Sequence, residues 1–323
     1  MEGRIKWVDV AKGYGIILVI YGHVTTDMFS EWLYTFHMPL FFFLSGFLFN
    51  HNTILKVFLK SKANGLLLPY ITLGIPIYLI YLLGAAVDPV ILVNDFFLHQ
   101  RMSPLWFIIV LFIHFLISYF LYNSINNTIV RWLLICLLAF IGILLWHSGI
   151  KALIWNVDIG LVALPFFCLG HDMRSKRIFQ AIFYKQKCNI FITASFVLNL
   201  IGFIIIHKMQ FPKIDLFWGH FSPEYTTYIT AFSGIITMCL IADKWHFRIL
   251  TYIGKNSLVF FAWQQAIGIN FANMLLDTFH LLEQANNVYY LLKNAVIVII
   301  SIVILTILNE IVIRTRLKSL IGK

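Results

Sequence analysis

Hydrophobic residues come in unbroken runs of helix length, separated by short stretches of charged and turn-forming residues. A membrane-crossing helix needs about 20 consecutive apolar residues. The runs predict spans near 6–26, 36–50, 66–87, 104–122, 130–148, 155–171, 190–207, 225–242, 256–277 and 288–312. The expected fold is therefore an all-α polytopic membrane protein of about ten transmembrane helices. The second and sixth runs are short, which suits a steep or partly re-entrant segment. No internal repeat or low-complexity linker is visible, so residues 1–323 read as a single integral-membrane domain.

Charge supports the count. Lys and Arg crowd into alternate loops: Arg4 and Lys6, Lys56 to Lys62, Arg131, Arg174 to Lys187, Lys244 and Arg248, and Arg314 onward. The opposite loops hold only Arg101, Lys151, Lys208 and Lys213. Positive residues mark the cytoplasmic side. An even number of spans with both termini in the cytoplasm fits, and removing one span would scramble the alternation.

Composition changes the picture in one respect. With 60% hydrophobic and only 12% charged residues, the bilayer is the solvent for nearly the whole chain. The net charge of +10 does not indicate nucleic acid, because its basic residues form no continuous stripe but sit in short loops as topology signals. Cys136, Cys168, Cys188 and Cys239 are scattered without a CxxC or a pairing with His, so no metal site and no disulfide framework is expected. The first apolar run is interrupted early by Asp9 and Lys12 and lacks a small-residue cleavage site, so the first helix is expected to be retained.

The candidate chemistry lies in the first two runs. Asp9, Lys12 and His23 are ionisable groups within an apolar segment, where such groups mark function by default. Lys12 and His23 are three helical turns plus about 20° apart, on one face and about 16 Å along the axis. Asp9 falls within about 40° of that face. Gly13, Gly15 and Gly22 flank this stripe and permit close approach of another backbone or a ligand. The second run enters from the opposite side, which places His37 at the depth of His23. Blander readings stand beside these: Lys12 snorkelling to the inner interface, Asp9 pairing with Lys12 or capping the helix, His37 at home in the headgroup zone. His114, alone in LFIHFLISY, suits a structural hydrogen bond.

The segments WVDVAKGYGIILVIYGH and FHMPLFFFLSGFLF resemble the first two signatures of the membrane-bound acyltransferase 3 family, most closely its fucose-4-O-acetylase-like and glycan O-acetyltransferase branch. PLWFIIVLF, NVDIGLVALPFFCLG and YIGKNSLVFF follow in the family's order. Three departures are visible: Lys12 where many relatives have Arg, only Lys60 and Lys62 ahead of Pro69, and Gln264 where many have His.

The resemblance implies a multi-pass protein of the plasma membrane, bacterial in type. It implies transfer of an acyl group, usually acetyl, from cytoplasmic acetyl-CoA to a hydroxyl of a cell-surface or lipid-linked carbohydrate, with no metal. His23 is then the general base, with Lys12, Asp9 and His37 completing the catalytic stripe. Lys60, Lys62, Arg174 and Arg177 are candidates for the donor phosphates, although topology alone accounts for them. Asn156, Asp158 and Trp106 are candidates for acceptor binding. Trp32, Tyr34, Trp218 and Tyr225 could stack on sugar rings, and an interfacial aromatic belt explains them equally. A direct transfer and an acyl-histidine intermediate both remain open. The competing reading is a transporter or flippase for a lipid-linked sugar, and a third is a non-catalytic partner in glycan assembly. Lipid-facing surfaces and subunit interfaces are both apolar, which leaves the oligomeric state open.

Overall fold

The computed structural model describes residues 5–84, 88–99, 103–149, 153–176, 188–279 and 287–321. The described residues form helices and no named strand, with one isolated bridge between Asp215 and His220. In chain order the helices are α1 (Lys6–Val24), α2 (Met28–Tyr34), α3 (His37–Phe47), α4 (Leu55–Leu83), α5 (Pro89–Leu98), α6 (Trp106–Ser124) and α7 (Thr128–His147). They continue with α8 (Ile154–Ser175), α9 (Cys188–Lys208), α10 (Glu224–Lys244), α11 (Arg248–Lys255), α12 (257–278) and α13 (Asn287–Arg314).

Among the described residues, seven helices are long and apolar enough to cross a bilayer: α4, α6, α7, α8, α9, α10 and α13. The runs near 6–26, 36–50 and 256–277 are helical too, but fall outside that set for physical reasons. Asp9, Lys12 and His23 lower the hydropathy of α1, α3 has only 11 residues, and Gln264, Gln265 and Asn270 interrupt the apolar character of α12.

Burial divides the helices into two groups. In α8 and α10, 67% of the spanning stretch is buried within the protein, and in α6 56%, against 22% in α7 and α9. The outer helices turn their apolar residues outward, as Leu133, Leu137, Phe140 and Leu144 do along α7. Such a stripe suits contact with lipid tails, where backbone polar groups are satisfied inside the helix. The inner group surrounds α1 and α3. Every residue of α3 except Ser45 is buried.

Missing side chains let these central helices approach closely. A Cβ added to Gly46 of α3 would overlap the carbonyl of Phe167 on α8, and one on Gly170 would overlap that of Phe43. The same contact joins α1 to α11, where Gly13 faces the Leu250 carbonyl and Gly254 faces that of Asp9. Backbone-to-backbone packing of this kind is what small residues provide between membrane helices. The packing fixes the direction of α1 and α3. Trp7 at the start of α1 meets Phe47 at the end of α3, ring centroids 5.0 Å apart, so the two helices run antiparallel. Their other ends, carrying His23 and His37, must then meet.

The connection between them is tied by polar contacts. Asp27 caps α2 by accepting from the Ser30 amide at 2.7 Å, and the Tyr21 hydroxyl donates to the same carboxylate at 2.7 Å. Trp32 donates through Nε1 to Asn199 of α9 at 2.6 Å, and the Asn199 amide donates to the Thr230 carbonyl of α10 at 2.8 Å. This buried asparagine holds α2 against both helices.

Candidate functional site

Where α1 ends and α3 begins, a cavity of about 300 Å³ opens among His23, Tyr34, His37, Met38, Ser103, Pro104, Trp106, Asp215, Phe217, Trp218, Phe261 and Gln265. A volume of that order suits a small molecule or one sugar-sized group.

The two histidines are held in the same way. The Nδ1 of His23 lies 2.9 Å from the Val19 carbonyl, and that of His37 lies 2.8 Å from the Leu33 carbonyl. A carbonyl oxygen only accepts, so each Nδ1 carries the proton. In the neutral form of each ring the lone pair is then on Nε2, the nitrogen fitted to receive a proton. Accessibility separates the pair. His37 is 2% exposed, whereas His23 is exposed at the cavity. Tyr34 stands beside both, its ring centroid 4.6 Å from that of His37 and 6.3 Å from that of His23.

The loop at 209–223 closes the arrangement. Lys213 sets its Nζ 3.4 Å from the centroid of the Tyr34 ring and donates to the Ser30 hydroxyl at 3.2 Å. Burial lowers the pKa of Lys213, while Asp215, Glu31 and Asp27 oppose that shift. Burial raises that of Asp215, opposed by the amides of Phe217 and Trp218 and by Lys213 and His220.

Among the residues singled out from the sequence, the cavity brings together His23, His37 and Trp106, with Tyr34 and Trp218. Asp9 and Lys12 lie on the earlier turns of α1 and do not line it; Asp9 is buried and Lys12 half-buried. Asn156 and Asp158 do not line it either. Asn156 is buried in a left-handed conformation (φ 54°), and Asp158 accepts from Trp146 Nε1 at 3.3 Å, in the packing of α7 against α8. Trp32 is engaged with Asn199, and Tyr225 is exposed on α10. His114 makes the structural hydrogen bond expected of it, with Nε2 donating to the Gly160 carbonyl at 2.7 Å.

Two of the basic candidates gather at the opposite end of the bundle, near Trp7. Arg174 donates to the Phe47 carbonyl at 3.2 Å, and Lys62 lies 3.7 Å from the centroid of the Phe115 ring. Lys60 is exposed, and Arg177 lies outside the described residues. Among the described residues no group of His, Cys, Asp and Glu could hold a metal ion.

Sequence reasoning did not single out Asp215, and it counted Lys213 only as a sparse charge on one side. The available signal was the run DLFWGH, an acidic residue set among aromatics between two spans. Only the fold-back of that loop turns the run into a cavity wall.

The family model described as an acyltransferase domain matches residues 5–306, most of the chain. No curated protein and no solved structure matches.

Proposed function

We propose that this chain, which belongs to the acyltransferase 3 family by a domain covering residues 5–306, moves an acetyl group from cytoplasmic acetyl-CoA to a hydroxyl of a cell-surface or lipid-linked carbohydrate. One observation carries the reading: His23 lines the cavity while its Nδ1 is tied to the Val19 carbonyl, which in the neutral ring leaves Nε2 as the basic nitrogen. A sugar hydroxyl is a weak nucleophile at neutral pH and needs such a base.

In the proposed reaction the acceptor hydroxyl gives its proton to Nε2 of His23 as its oxygen bonds to the thioester carbonyl carbon. The carbon–sulfur bond then breaks, and the departing thiolate takes the proton back from the imidazolium. His37, buried and bonded in the same way to the carbonyl four residues earlier, packs against Tyr34, which stands beside the first histidine. The donor phosphates sit at the Trp7 end, near Lys62 and Arg174, and the thioester reaches along α1 past Lys12. In this arrangement α1, α3 and α12 also cross the membrane, making ten spans with both termini on the donor side of the plasma membrane.

The test follows O-acetylation of surface glycan by mass spectrometry in cells making equal amounts of the wild-type chain and of His23→Ala. Loss of a positioned base is expected to reduce transfer by roughly 10²–10⁴-fold. Undiminished acetylation removes His23 from the reaction. A change in glycan amount or export, with acetylation constant, shows a transporter instead.

A further inference from the structure

The loop that covers the cavity is built around one carboxylate. Asp215 and His220 exchange backbone hydrogen bonds of 2.8 and 2.9 Å, which closes a tight turn and sets Phe217 and Trp218 against the cavity. Oδ1 of Asp215 accepts from the Phe217 amide at 2.9 Å, and the Trp218 amide also donates to the carboxylate. These bonds orient the group without saturating it, because an ionised carboxylate has room for about four donors. Asp215 is the acidic residue of the cavity lining, among Tyr34, Trp106, Phe217 and Trp218. Lys213, two residues earlier, is engaged with Tyr34 and Ser30.

Hydroxyl donors on adjacent carbons suit a carboxylate, and aromatic faces suit the C–H face of the same ring. We propose that Asp215 is a specificity-determining residue that accepts a hydrogen bond from a second hydroxyl of the acceptor, next to the hydroxyl presented to His23. The site then takes neutral vicinal diols, including sugar rings. Monohydric alcohols leave Asp215 unsatisfied, and anionic acceptors are repelled by it. The proposal rests on the reading of this cavity as the acceptor site of an acyltransferase.

The experiment uses two probes of nearly equal shape, trans-cyclohexane-1,2-diol and cyclohexanol, with acetyl-CoA and the full chain purified in lipid. Transfer to each probe and quenching of tryptophan fluorescence are read, since Trp106 and Trp218 line the cavity. The wild type is expected to favour the diol in kcat/KM by about tenfold or more. In Asp215→Asn, whose amide oxygen still accepts from Phe217, the ratio is expected to fall to about two or less. A merely structural role lowers both rates together and preserves the ratio. A wild type without diol preference, or a preference that survives the substitution, overturns the proposal. If neither probe is acetylated while diol quenching is present and lost in Asp215→Asn, diol recognition stands and the acyltransferase reading fails. Absence of both transfer and diol quenching overturns the proposal.

Discussion

Tyr34 meets the His37 ring edge to face at 4.6 Å between centroids, and the same tyrosine carries the Lys213 ammonium 3.4 Å from its ring centroid. The ring is thus a spacer between the buried histidine and the loop that covers the cavity. A hydrophobic spacer acts through its shape, so Tyr34→Phe should keep most of the acetyl-transfer rate. Tyr34→Ala releases His37 and Lys213 together, and misplacement of reacting groups by about 1 Å costs roughly 10²-fold. Rates per folded molecule, measured after size-exclusion selection, check this. Equal damage from both substitutions would move the role from the ring to the hydroxyl.

Gly22 offers a gentler way to move the same ring. An alanine Cβ there would lie 3.0 Å from Cε2 of Tyr34, so the ring must yield by a few tenths of an ångström. Gly22→Ala is expected to fold normally and to transfer more slowly than wild type. Thermal unfolding together with a transfer assay separates the two effects, and an unaltered rate shows that the ring tolerates the shift.

Substitution at the α3–α8 contact acts on the fold itself. Gly46→Ala forces a methyl group into the Phe167 carbonyl, and backbone cannot step aside as a flexible side chain can. Overpacking costs about 1–3 kcal/mol, and this site should reach the upper end. Gly65 has open space around its Cβ direction, so Gly65→Ala serves as the control. The expected result is a lower unfolding temperature in detergent for the first variant and none for the second. Equal temperatures would show that α3 and α8 can separate at little cost.

Much of this arrangement was legible in the chain, and the reason is periodic. Apolar runs locate the helices, and the spacing of Asp9, Lys12 and His23 places them along one helix. The antiparallel return of α3 brought His37 to the same end as His23. Span number was less legible, because α1 and α12 hold polar residues, of which Asp9 and Gln264 are buried among other helices. Asp158 lies in a motif yet packs between α7 and α8, bonded to Trp146, and Asn156 of the same motif is buried away from the cavity. Asp215 and Lys213 were hidden for a different reason. A loop carries no period, and its place over the cavity follows from tertiary contacts with Tyr34 and Ser30.

The proposed donor end yields a separate expectation. Arg174 and Lys62 are half-buried near the end of α3, whereas Lys60 is exposed. An exposed charge is screened by salt over about 8–10 Å, and a partly buried one less. Arg174→Gln should therefore raise the KM for acetyl-CoA by about tenfold, the effect of one lost charge-assisted hydrogen bond. Lys60→Gln should raise it much less, and that smaller effect should disappear at high salt. The reverse order would place the donor phosphates on the outer surface of α4.

Asp215 should also impose a pH dependence on acceptor choice. Burial raises its pKa, so it takes up a proton at a higher pH than an ordinary aspartate, near 3.9. Protonation removes the charge that strengthens its hydrogen bonds from hydroxyls, so the preference for trans-cyclohexane-1,2-diol over cyclohexanol should weaken as pH falls. Taking the ratio of the two rates cancels titration of His23 and of any group that affects both probes. Lys213 and His220 favour the ionised form. Lys213→Met withdraws one of these charges and should move the loss of preference to higher pH. Asp215→Asn should show a low ratio that does not change across the same range. A ratio in the wild type that stays constant down to the pH of an ordinary aspartate would mean that the neighbouring charges outweigh burial, and that Asp215 remains ionised throughout.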